Sequence, residues 1–164
     1  MPPRLLILWH SATGATRALA QAAADAARAE DGVETRLLRF AEADASDLLD
    51  AAGVVFAAPE TLASMAGIAK DFFDRAYYPA LGRIEGRACA TIVAAGSDGQ
   101  GAARQIARIA QGWRLRPIAE PLIVCTRAQT PEAILAEKVV PPEDLARAAE
   151  LGAAMAAGLA LGIW

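Results

Sequence analysis

Residues 10–16, His10-Ser11-Ala12-Thr13-Gly14-Ala15-Thr16, place three hydroxyls and a glycine between an apolar run at 5–9 and an alanine-rich run at 17–30. A buried strand, a turn of small residues and then a helix suit a phosphate. The first N–H groups of a helix have no intrahelical acceptor and carry partial positive charge. Ser11, Thr13 and Thr16 would add hydroxyl donors, and Gly14 lets the backbone approach closely. No Lys or Arg is required if N–H and O–H groups alone enclose the ligand. The structural alternative is a hydroxyl N-cap on the first helix of an α/β domain.

Two later stretches repeat the logic. An apolar run at 53–58 ends at Pro59 and is followed by a loop over 60–67. Another at 88–95 ends in Gly96-Ser97-Asp98-Gly99-Gln100-Gly101, which opens a helix from about Ala102 to Gly112. Continuous apolar runs of this length suit central parallel strands. Around them the pattern predicts a first strand at 4–9, a helix at 15–30, a charged second strand at 33–40 and a short capped helix at 44–49. A helix follows at 68–77. A fifth strand falls between 117 and 126, and its Pro121 marks an edge or a bulge. Thr130 caps a helix that has Pro131 at its first position, and a last helix runs from 141 to about 160. Alternating β and α elements imply a parallel sheet covered on both faces, with ligands at the carboxyl ends of the strands.

Bulk properties restrict the function. The 164 residues suit one domain spanning 1–164. A net charge of −3 and the lack of a basic run argue against nucleic acid. No apolar run reaches the roughly 20 residues of a membrane span, and the N-terminus has no secretory pattern, so a cytoplasmic protein is expected. Cys89 and Cys125 lack metal or redox spacing. The chain contains no GxxxxGK[ST] and no GxGxxG, which excludes the usual triphosphate and dinucleotide loops. A hydrolase elbow is also absent, because Ala95 stands where G-x-S-x-G needs its first glycine.

Ser11-Ala12-Thr13-Gly14-Ala15-Thr16 resembles the FMN-phosphate loop, (S/T)-x-T-G-x-T, of the flavodoxin-like superfamily. Residues 58–75, APETLASMAGIAKDFFDR, resemble the flavin-ring loop and following helix of its NAD(P)H-dependent FMN reductase and quinone reductase branch. Residues 96–101 are similar to the third flavin loop. The resemblance implies a flavodoxin-like three-layer αβα sandwich, with a five-stranded parallel sheet in the order 2-1-3-4-5 and FMN held non-covalently. Carried over by position, Ser11, Thr13, Gly14, Ala15 and Thr16 hold the phosphate. Pro59, Glu60, Thr61, Leu62 and Ala63 flank the ring, and Gly96, Ser97, Asp98 and Gly99 face its pyrimidine side. Thr61 and Leu62 stand where such reductases often have an aromatic residue. Glu60 brings a carboxylate near the ring.

The expected chemistry is the flavin's, with no catalytic side chain: hydride from NADH or NADPH passes through FMN to a quinone or similar small acceptor. A flavodoxin-type one-electron carrier is the alternative. A fold with weak or no FMN binding that acts through protein contacts is the third reading. The modest charge and aromatic-free loops favour the reductase. Arg127, after the fifth strand, is a surface charge or a contact to a nicotinamide phosphate. A homodimer or homotetramer is expected, with an apolar patch of Phe72, Phe73, Tyr77 and Tyr78.

Overall fold

The computed structural model describes residues 1–164. In chain order the elements are β1 (Arg4–Trp9), α1 (Ala15–Arg28), β2 (Glu34–Arg39), α2 (Ala45–Asp50), β3 (Gly53–Thr61) and β4 (Ser64–Met65). Then come α3 (Gly67–Ala80), β5 (Ala88–Ala95), α4 (Gln100–Gly112), β6 (Arg116–Pro117), β7 (Leu122–Cys125), α5 (Pro131–Leu135) and α6 (Pro142–Ala160). The main sheet is parallel, in the order β2-β1-β3-β5-β6, with β7 also paired to β5. β6 and β7 are therefore two halves of one edge strand, interrupted around Pro121. Proline has no N–H for the ladder, and an edge tolerates the break.

The pleat explains the two cores. Successive side chains of a strand point to opposite faces. Leu6 and Leu8 of β1 join the cluster under α2, α3 and α4, which contains Phe40, Phe56, Phe72, Phe73 and Trp113. Leu5 and Ile7 join the cluster under α1 and α6. β5 is buried at every residue, as a central parallel strand requires. α1 and α6 come together through small residues, and a Cβ on Gly152 would overlap the backbone of Ala23.

Three expectations need correction. β3 does not stop at Pro59: it runs on to Thr61 and turns back as a hairpin with β4, pairing Glu60 with Met65 and Thr61 with Ser64. Proline is tolerated there because β1 has ended; its last partner on β3 is Ala57. The hairpin turn is Leu62-Ala63, with φ of 51° and 62°, the two positive values of a type I′ turn. α3 continues to Ala80, with Pro79 in its last turn. Phe72 and Phe73 are buried in the core, so only Tyr77 and Tyr78 of the proposed aromatic patch reach the surface.

Candidate functional site

The carboxyl ends of β1, β3, β5 and β7 surround a cavity of about 470 Å³. Its floor at one end is Ser11, Ala12, Thr13, Ala15 and Thr16. One wall is Pro59, Glu60, Thr61 and Leu62. The other is formed by Ala94, Ala95, Gly96, Thr126 and Ala128. Ile134, Leu135 and Lys138, from the segment that joins β7 to α6, close the side over the first loop. No aromatic ring lines it.

The first loop is an open anion cradle. α1 is capped by Gly14, at φ 102°, and no side chain caps the helix. The hydroxyl N-cap is thereby excluded. The Ser11 hydroxyl accepts from Gly14 N–H at 3.0 Å and holds the turn. The backbone N–H groups of Ser11, Ala12, Thr13, Ala15, Thr16 and Arg17 find no acceptor in the protein. Thr16 is 1% exposed, yet its hydroxyl also has no partner. A buried unpaired hydroxyl costs about 1–3 kcal/mol, and of the four such buried side-chain groups (Arg4 Nε, Thr16 Oγ1, Thr35 Oγ1 and Trp113 Nε1) Thr16 alone belongs to a residue lining the cavity.

The third loop is different. The Glu60 carboxylate accepts from Gly99 N–H at 2.9 Å and Ala102 N–H at 3.1 Å. It neutralises the N-terminus of α4 from across the site, a charge-assisted cap supplied by another element. Of the two glycine-capped helix N-termini at the site, α4's is met by Glu60, whereas no side chain caps that of α1. The Glu60 carboxylate, expected near the ring, is thus met by the protein's own donors. The hairpin is fixed further by Gln105, whose side-chain oxygen accepts from Met65 N–H at 2.8 Å and from the Ser64 hydroxyl at 3.0 Å. At Gly101 a Cβ would overlap the Ala63 carbonyl, so glycine lets the hairpin tip lie against α4.

Of the residues expected at the site, the cavity gathers Ser11, Thr13, Ala15, Thr16, Pro59, Glu60, Thr61, Leu62 and Gly96. Gly14 lies beneath the Glu137 side chain. Ala63 turns against α4 instead of lining the cavity, and Ser97 and Asp98 are exposed beyond its wall. Gly99 is buried at φ 82° as the N-cap of α4. Arg127 is exposed at φ 57°, and its N–H donates to the Gly96 carbonyl, so its backbone joins the β5 and β7 loops.

Sequence reasoning missed Ile134, Leu135 and Lys138. Lys138 N–H donates to the Thr13 carbonyl at 2.8 Å, and its ammonium lies 3.3 Å from the Thr13 hydroxyl. The legible signal was the capped start at Thr130-Pro131, after a strand that ends at the site; Thr130 Oγ1 accepts from Ala133 N–H as expected.

His10 precedes the cradle. Partial burial, reinforced by the nearby Arg39, lowers its pKa below the ordinary 6.5, so it is neutral at pH 7. Cys89 is inside the sheet, and burial raises its thiol pKa to about 11, which leaves it an inert core residue.

Parallel order, helices on both faces and a mononucleotide-sized cavity at the strand ends define a flavodoxin-like α/β fold. No family model matches the chain. A flavodoxin from Aquifex aeolicus (strain VF5) is 31% identical over 98 residues, 60% of this chain. The matched part is 53% of that relative, so the chain spans about half the length of the curated relative it matches. A flavodoxin from the domain Archaea superposes with a TM-score of 0.77 at 16% identity, covering 95% of this chain and 98% of the other. Flavodoxin 1 from Bacillus cereus gives 0.75 at 20% identity, with 93% and 96% covered.

Proposed function

We propose that the protein binds FMN at the strand ends and acts as an electron-transfer flavoprotein of the carrier kind. Thr16 is the observation that carries the reading: a buried hydroxyl without a partner, beside six free backbone N–H groups, at the floor of a slot of mixed polar and aliphatic lining. A phosphate monoester accepts many hydrogen bonds and suits such a donor set. A flat ring system suits the slot between Leu62 and the Gly96–Thr126 wall.

Bound FMN supplies one- and two-electron redox chemistry. The protein's part is placement. The free N–H groups and the hydroxyls of Thr13 and Thr16 would hold the phosphate. The Pro59–Leu62 wall would exclude water from one side of the ring. Glu60 and Gln105 keep that wall at a fixed separation from α4, so the slot is formed before the ligand arrives. The name of the Aquifex relative supports the carrier over the enzyme.

One observation favours a second reading, hydride transfer from NADH or NADPH to a small quinone-like acceptor. The cavity has no aromatic ring to cover the flavin, which leaves a face open to a second ring. Titration of the purified protein with FMN, followed by absorbance and fluorescence, tests the shared core of both readings; no bound flavin at excess FMN overturns both. With FMN bound, bleaching by a one-electron donor but not by NADH or NADPH supports the carrier. Bleaching by a nicotinamide and recovery with a quinone supports the reductase.

A further inference from the structure

The segment between β7 and α6 sets two charged side chains beside the cradle, facing different partners. Glu137 lies over Gly14 and pairs with Arg17 at 2.7 Å. Lys138 has no carboxylate partner. Its ammonium donates only to neutral oxygens: Thr13 Oγ1 at 3.3 Å, the Ile134 carbonyl at 2.8 Å and the Ala136 carbonyl at 2.5 Å. Glu137 thus compensates Arg17, and Lys138 remains as an uncompensated cation on the cavity wall. It is half-buried and tied to the Thr13 carbonyl through its own backbone N–H. The Thr16 hydroxyl, buried without a partner, belongs to a residue that lines the same cavity.

N–H and O–H donors at a helix N-terminus already favour the more highly charged phosphate through their dipoles. A full cation held among them adds a larger share of charge discrimination, because its attraction also doubles when a monoanion becomes a dianion and a unit charge exceeds the helix's partial one. From this geometry we propose that Lys138 is the charge-selecting residue of the site. It favours a dianionic phosphate monoester over an uncharged ligand of the same ring and side chain, or over a monoanionic diester. The inference rests on the FMN reading and adds to it a determinant outside the first loop.

The test compares dissociation constants of FMN and riboflavin, by quenching of flavin fluorescence, in the wild type, Lys138→Gln and Lys138→Arg. The glutamine variant should lower the FMN-to-riboflavin affinity ratio by about tenfold or more, and arginine should restore most of it. Wild-type FMN affinity should rise between pH 5 and pH 7 as the phosphate loses its second proton near pH 6. That rise should be shallower in Lys138→Gln, a change that loss of loop packing alone would not produce. An unchanged ratio and pH slope in Lys138→Gln overturn the proposal, as does equal weakening of both ligands. Wild-type protein that binds FMN and riboflavin alike keeps the flavin reading and overturns this one. Wild-type protein that binds neither overturns both.

Discussion

Thr16 and His10 each make a statement about a single group. Thr16→Val replaces an unpaired buried hydroxyl with a methyl of similar size. The ligand-free variant should melt at the wild-type temperature or above, because a desolvated hydroxyl has been removed. FMN binding should weaken by about 1–3 kcal/mol in a fluorescence titration. A ligand-free variant that melts lower would mean the hydroxyl already has a protein partner. For His10 the folded pKa lies below 6.5, so the unfolded chain takes up a proton first as pH falls. Stability is then lost from about pH 6.5 downward to the folded value, and His10 contributes no slope above that window. Urea unfolding at pH 7.5 and 5.5 should show wild type losing stability that His10→Gln retains. The hydroxyls of the first loop were legible because residue type and order specify them within six positions. Lys138 was not, because 125 residues separate it from Thr13 and only the completed fold brings them together.

At the scale of elements, the β3–β4 hairpin depends on a contact that sequence does not display. Leu62 and Ala63 adopt positive φ although neither is glycine. That conformation costs roughly 1–2 kcal/mol per residue. It is offset by the bonds that fasten the hairpin to α4 through Glu60 and Gln105. Gly101→Ala should force the Ala63 carbonyl away from α4, lower stability by about 1–3 kcal/mol and weaken flavin binding together with it. Chemical denaturation and a flavin titration check the two effects; a loss of neither would mean the tip yields freely. The hairpin itself was hidden by Pro59, which reads as a strand end. It continues the strand here only because β1 has already stopped beside it. Glu60 read as a charge facing the ring, since no local pattern announces a carboxylate that caps a helix 40 residues on.

For the whole molecule, the order of elements was legible where burial is total. β1, β3 and β5 are continuous apolar runs, and the alanine-rich runs of α1 and α6 match one packed pair. The depth of that pair's contact was not, because it turns on one glycine meeting one backbone carbonyl. Gly152→Leu should push α6 off α1 and cost about 1–3 kcal/mol or more, seen as a lower midpoint in urea. An unchanged midpoint would mean the two helices can separate at no cost. No helix is long and apolar enough to cross a membrane.

The segment that carries Glu137 and Lys138 also bears on time. A phosphate taken up at the first loop, as proposed, would lie beside the strap that Lys138 ties to Thr13 and the exposed Glu137–Arg17 pair ties to α1. Loosening that pair would leave the donors in place and shorten the ligand's residence. The lifetime of the proposed complex would then depend on residues that come more than a hundred positions after the loop they hold.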